Sequence, residues 1–260
     1  MRRIHPTAVV AENVQMGENV SIGAYSVIEG DVSLGNDVEI GEWVFIGSRT
    51  FLGNGVKVFH GAVIGTPPQH REKYGEKGGV KIGENTLIRE YVTIHRATEE
   101  NQATEIGPEC YLMCFSHIGH DGKIGRGVVL TNLATLGGFV EIGEFAVIGG
   151  FVAVHQNIHI GTLAMVGGTT GVNKHIPPYA TAMGPAPPLL YHINRVGMKR
   201  RGMPEERIKE IEECYRILRR TPGREKALEQ IRQNVPPSAE RDNLLNFLEK
   251  YFPIASFASL

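Results

Sequence analysis

An aliphatic residue recurs at every sixth position from Val10 to Val172, with two interruptions. The first run passes through Met16, Ile22, Ile28, Leu34, Ile40, Ile46, Leu52 and Val58 to Ile64. A short second run holds Ile82, Ile88 and Ile94, and the third extends from Ile106 through Ile118, Leu136 and Val154 to Val172. Two residues before each anchor sits a second fixed position, small or β-branched apart from Cys110, as at Val20, Val38 and Ala134. A period of six fits neither an α-helix at 3.6 nor an ordinary strand at 2.0. It fits a solenoid of three flat faces, about 18 residues per coil, the sign of a parallel β-helix. The anchor and the residue two before it share one side of a strand and point inward. Gly follows most anchors, which predicts corners built on positive φ.

These patterns predict a mainly β chain: a left-handed parallel β-helix over residues 1–176, then a Pro-rich connector and a small C-terminal helical domain over residues 177–260. Two polar segments, 66–79 and 96–104, break the register between intact coils and should loop out, where binding residues concentrate. Pro177, Pro178, Pro185, Pro187 and Pro188 should form a connector that cannot continue a ladder. Beyond it, Pro204-Glu205-Glu206 reads as a helix start, with Ile208, Ile211, Tyr215 and Leu218 at helical spacing before Thr221-Pro222-Gly223. Leu228, Ile231 and Val235 mark a second helix. Leu244, Leu245, Phe247, Leu248 and Tyr251 mark a third.

Lys and Arg number 27 against 28 Asp and Glu, so no global basic field argues for nucleic acid. Cys110, Cys114 and Cys214 form no disulfide framework and read as reduced, structural residues of a reducing compartment. No run of about 18 apolar residues predicts a membrane span, and no apolar leader precedes the repeat. A cytoplasmic protein is expected. Outward aromatics at Phe45, Phe139, Phe145 and Phe151 suggest lateral packing of prisms, closed as a trimer.

Histidines gather in one stretch: His95, His117, His120, His155 and His159. His120, Gly138 and Gln156 lie one and two coils apart and should stack in a column, about 5 Å per step. A neutral imidazole beside a Gly corner N–H suits acyl transfer. The ring takes a proton from a hydroxyl or amine, the amide faces the developing oxyanion, and Asp121 orients the ring. A zinc site on His117, His120 and His155 is the competing reading of the same cluster. There is no P-loop, dinucleotide fingerprint or HExxH, and a non-catalytic scaffold is a further alternative.

Together with the hexads, His117-Ile118-Gly119-His120-Asp121, Ala153-Val154-His155-Gln156, Val166-Gly167-Gly168 and Gly197-Met198-Lys199-Arg200-Arg201-Gly202 resemble the UDP-N-acetylglucosamine acyltransferases over nearly the whole chain. The resemblance implies transfer of an (R)-3-hydroxyacyl chain from acyl carrier protein to the sugar 3-position, in lipid A synthesis. The donor would be the carrier's 4'-phosphopantetheine thioester, with no bound cofactor and no metal. It implies His120 as general base, Asp121 as its support and Gly138 as oxyanion donor. His117, His155, Gln156, Gln69, Lys73, Asn194, Arg200 and Arg201 would surround the substrates. Gly168 would set acyl-chain length, a small residue there permitting a longer chain. A homotrimer with active sites between subunits is implied as well. Arg216, Arg219, Arg220 and Arg224 could receive the acidic carrier protein or form a solvated helix face. His70, Phe139 and Val196 stand where the family usually has Asp, His and Glu. These departures leave open a 3-amino-sugar N-acyltransferase, and an acetyl-CoA-dependent N-acetyltransferase is a second alternative.

Overall fold

A computed structural model describes residues 2–73 and 78–258 of the chain. The Tyr74 end of the first excursion, through residue 77, lies outside the described residues. Among those described, strands mostly two residues long build three sheets of 12, 9 and 8 strands, the sides of a left-handed parallel β-helix. Each coil donates N–H groups to the carbonyls of the next, as in Ser21 to Val38 at 2.9 Å and Gly23 to Ile40 at 2.8 Å. The hexad anchors fill the interior: Ile28, Ile46, Ile64, Ile94, Ile118 and Leu136 are all at most 1% exposed. Each such side chain contributes roughly 1.5–3 kcal/mol by leaving water.

The glycines after the anchors serve a different purpose from the one their positions suggest. Positive φ falls three residues after the anchor, usually on a non-glycine: Asn19 (56°), Tyr25 (59°), Trp43 (58°). That conformation costs such residues about 1–2 kcal/mol each. A bond across the corner offsets it, such as Trp43 N–H to Ala24 O at 3.0 Å. The glycines instead answer close approach between coils. A Cβ on Gly119 would lie 2.8 Å from both Gly137 C and Gly138 N.

Both excursions leave the ladder and return to the same sheet. Lys57 pairs with Leu87 and Leu87 with Tyr111, wider steps than Ser21 to Glu39, yet pairing resumes in register beyond them. The two excursions also pack together. Arg96 N donates to Thr66 O at 3.0 Å, Ala97 N to Gly79 O at 3.2 Å, and Lys73 is ion-paired with Glu99.

The Pro-rich segment does extend a ladder, contrary to the sequence expectation. Ala180–Met183 pairs in parallel with Met165–Val166, and Leu189–Ile193 returns antiparallel to it. The prolines flank these strands rather than occupying them, so no ladder N–H is lost. Four helices are described: α1 (Arg195–Arg200), α2 (Glu205–Arg220), α3 (Arg224–Asn234) and α4 (Ala239–Lys250). The first was not legible, having one buried residue, Met198, in six. The other three carry the expected apolar faces, with Val235 and Tyr251 just past the last turns. Tyr251 stacks on His159 at 3.8 Å, and its hydroxyl donates to Glu141 at 3.3 Å. Tyr215 donates to Pro178 O at 2.6 Å. These contacts seat the helices against the prism.

Of the outward aromatics, Phe139 and Phe151 are exposed, whereas Phe45 and Phe145 are half-buried, the latter beneath the Arg201 guanidinium at 4.0 Å. A longer apolar stripe follows one corner, where Tyr25 stacks on Trp43 and Tyr91 on Phe115, continuing through Leu133 and Phe151. No helix is long and apolar enough to cross a membrane among the described residues.

Candidate active site

His120 and Asp121 occupy the corner after the strand His117–Ile118. Both are nearly buried, at 6% and 7% exposure. The imidazole Nδ1–H donates to Asp121 Oδ2 at 2.7 Å. Both Asp121 carboxylate oxygens accept the Thr98 N–H, at 3.1 and 3.2 Å, and the Asp121 N–H donates to Thr104 Oγ1 at 2.9 Å. With Nδ1 carrying the proton, Nε2 presents a lone pair, the form a general base needs.

The column forms as the 18-residue coil requires. Phe139 N–H donates to His120 O at 2.9 Å, and Asn157 N–H to Gly138 O at 3.0 Å, linking the three successive corners. The His120 ring stands directly over Gly138: a Cβ there would lie 2.5 Å from Cε1 and 2.6 Å from Nε2. Only Gly lets ring and backbone share this space. The Gly138 N–H takes no part in the coil-to-coil ladder. Gln156 is exposed at the next corner, beside His155, whose Nδ1–H donates to Gln156 O at 3.1 Å.

Further imidazoles wall the site. His117 pairs its Nδ1 with Thr93 Oγ1 at 2.8 Å and lies 5.2 Å from the ring of His95. Burial, helped by His95, pushes the His117 pKa down to about 4. Burial likewise lowers that of His95, which donates from Nδ1 to Pro67 O at 2.7 Å. Both rings are therefore neutral near pH 7. His70, on the first excursion, stands 5.5 Å from His120, and Phe139 meets His120 edge-on at 5.1 Å.

The structure brings His117, His120, Asp121, Gly138, His155 and Gln156 to one edge of the prism. Gln69 is exposed on the first excursion next to His70, while Lys73 there turns to Glu99. Gly168 lies at a different corner, across the nine-stranded sheet, where a Cβ would approach Gly150 O to 3.2 Å. Asn194 caps α1, accepting from Gly197 N at 2.9 Å and donating to Leu163 O at 2.8 Å. Arg200 and Arg201 end the same helix, with Arg201 over Phe145 at the third corner. A single chain thus does not place these three beside His120. Sequence reasoning missed Thr98 and Thr104. Thr104 occupies an inward repeat position and reads as core, and Thr98 acts through its backbone, which no side-chain pattern reveals. Among the described residues, no cluster of three or more His, Cys, Asp or Glu could hold a metal ion.

Residues 176–251 match the family model described as UDP-N-acetylglucosamine O-acyltransferase, domain 2, and residues 13–48 match that of the bacterial transferase hexapeptide, six repeats. The acyl-[acyl-carrier-protein]–UDP-N-acetylglucosamine O-acyltransferase of Thermodesulfovibrio yellowstonii is 41% identical over 96% of this chain and 97% of its own. The Aquifex aeolicus enzyme of the same name is 48% identical over 95% of each. Among solved structures, the UDP-N-acetylglucosamine acyltransferase of Bacteroides fragilis superposes with a TM-score of 0.93 at 33% identity, covering 98% of this chain and 99% of that one. That of Francisella novicida gives 0.92 at 32%, over 98% and 94%. With likeness of this extent running through both the coils and the helices, the chain belongs to the UDP-N-acetylglucosamine O-acyltransferase family.

Proposed function

We propose that the chain transfers a 3-hydroxyacyl group from the phosphopantetheine thioester of acyl carrier protein to the 3-hydroxyl of UDP-N-acetylglucosamine. The observation that carries this reading is His120, oriented by Asp121 and poised over Gly138. His120 Nε2 takes the proton of the sugar hydroxyl as its oxygen attacks the thioester carbonyl. The oxyanion that forms accepts the Gly138 N–H. As the intermediate collapses, the C–S bond breaks, the new ester C–O bond remains, and the proton on Nε2 passes to the departing thiolate. Asp121 stabilises the transient imidazolium without taking its proton. His117, neutral and lodged against Thr93, adds a polar wall that does not compete for that proton.

Gly168 and the small, exposed Ala153 suit an acyl chain laid along one face. Arg200, Arg201 and Asn194 would complete the site from a neighbouring subunit of a homotrimer, where guanidinium groups suit phosphates. A cytoplasmic setting fits substrates of this kind. The relatives' names carry an O-acyl product, which favours the 3-hydroxyl acceptor over the amide-forming and acetyl-CoA readings.

The test is mass spectrometry of product from UDP-N-acetylglucosamine and a series of hydroxyacyl carrier-protein donors, for wild type and His120→Ala. A 3-O-acylated sugar nucleotide from the wild type alone is expected. Equal turnover by His120→Ala would overturn the assigned base.

A further inference from the structure

Arg195 opens α1, where a cation is out of place. The N-terminal end of a helix carries partial positive charge and favours acids, yet the first turn of α1 holds none. The helix is six residues long with one buried side chain, Met198, too little to hold itself. Its direction is therefore set by what it touches. Asn194 ties its start to Leu163 O at 2.8 Å. Arg195 and Lys199 both reach to α2. The Arg195 guanidinium meets two carboxylates, Glu205 and Glu212, and Lys199 Nζ lies 3.2 Å from Glu205 Oε2.

Arg195 and Lys199 are one turn apart and share a side of α1. Glu205 and Glu212 are two turns apart and share a side of α2. A lone exposed ion pair contributes little and fixes no direction. One planar group held by acids on two separate turns fixes an angle as well as a distance. Arg200 follows Lys199 about 100° further round the helix, and Arg201 lies over Phe145 at 4.0 Å. Any tilt of α1 on α2 swings both guanidinium groups.

We propose that Arg195 is a positioning residue, holding α1 against Glu205 and Glu212 so that Arg200 and Arg201 meet the phosphates of the sugar nucleotide. This rests on the acyltransferase reading above and extends it to a group that itself touches no substrate.

Steady-state kinetics on the full chain, varying UDP-N-acetylglucosamine and hydroxyacyl carrier protein in turn, tests the clamp. Arg195→Met keeps the apolar stem and drops the charge. Glu205→Gln combined with Glu212→Gln keeps both shapes and drops the charged partners. Either change should raise the KM for UDP-N-acetylglucosamine about fivefold or more, and the three substitutions together no further, because all remove one clamp. The kcat and the KM for carrier protein should stay within about twofold. The melting temperature should stay within about 3 °C, since these groups are exposed or half-buried. An Arg195 that bound the phosphates directly would behave differently: freeing it with the two glutamines would leave the acceptor KM unchanged or lower it, and that result overturns the proposal. So does an unchanged KM in Arg195→Met, or equal effects on both substrates. Arg200→Ala is the reference and should be at least as impaired; an unimpaired Arg200→Ala would leave α1 nothing to present and overturns the proposal too. Wild-type protein that fails to acylate UDP-N-acetylglucosamine would sink the functional reading itself, whereas normal wild-type turnover with indifferent clamp variants would sink only this inference.

Discussion

The role proposed for His120 rests on contacts that single atoms can break. Replacing it with Ala should lower kcat by about 10²–10⁴-fold with an unaltered circular dichroism spectrum, since the ring packs at a corner and not in the apolar interior. Gly138→Ala is the sharper probe, because it adds one carbon where the ring already sits, 2.5 Å away. Its expected signature is a fall in kcat of about 100-fold or more with native-like folding, checked by stopped assays and a thermal melt. His117 gives a pH prediction. Its folded pKa of about 4 lies below the ordinary value of 6.5, so protonation favours the unfolded chain. The stability contributed by the neutral ring is complete above about pH 6.5 and is lost as pH falls toward 4. Urea unfolding at pH 7.5 and 4.5 should show a larger acid loss for wild type than for His117→Asn.

At the level of elements, the strands were legible because each anchor recurs where the inside of a coil requires it, and the Ile118 and Leu136 positions are fully buried as read. The column of His120, Gly138 and Gln156 followed from the same spacing. What periodicity does not encode went unread. Glycine was assigned to positive φ, while the chain places Tyr25 and Trp43 there and uses glycine to admit a neighbouring backbone. The capping of α1 by Asn194 also went unread, because that helix is too short to show a face. The excursions carried polar residues whose partners depend on loop geometry, so Lys73 turning to Glu99 had no sequence signature. The second excursion braces the reaction centre, which makes Thr104→Val informative. It removes the acceptor of the Asp121 N–H, so a buried donor goes unmet at about 1–3 kcal/mol. A lower denaturant midpoint together with a kcat reduced about tenfold is the expected pair of results. Lost stability with unchanged kcat would show that the brace has no bearing on the chemistry.

For the whole molecule, the separation of Arg200 and Arg201 from the His120 corner means that their proposed role requires association. Sedimentation equilibrium should give three times 28.5 kDa. Co-refolded mixtures of His120→Ala and Arg200→Ala chains should recover activity that neither has alone, because some sites then draw both intact residues from different copies. Failure of mixtures to recover any would place both groups within one subunit's reach. The proposed base and oxyanion amide belong to successive turns joined by the Phe139–His120 bond. Their vertical separation is thus a lattice constant of the solenoid, about 5 Å, beyond the influence of any one side chain. Chemistry so mounted has little freedom to drift, and divergence in substrate preference within this scaffold is channelled to the overhanging loops and the outward side chains.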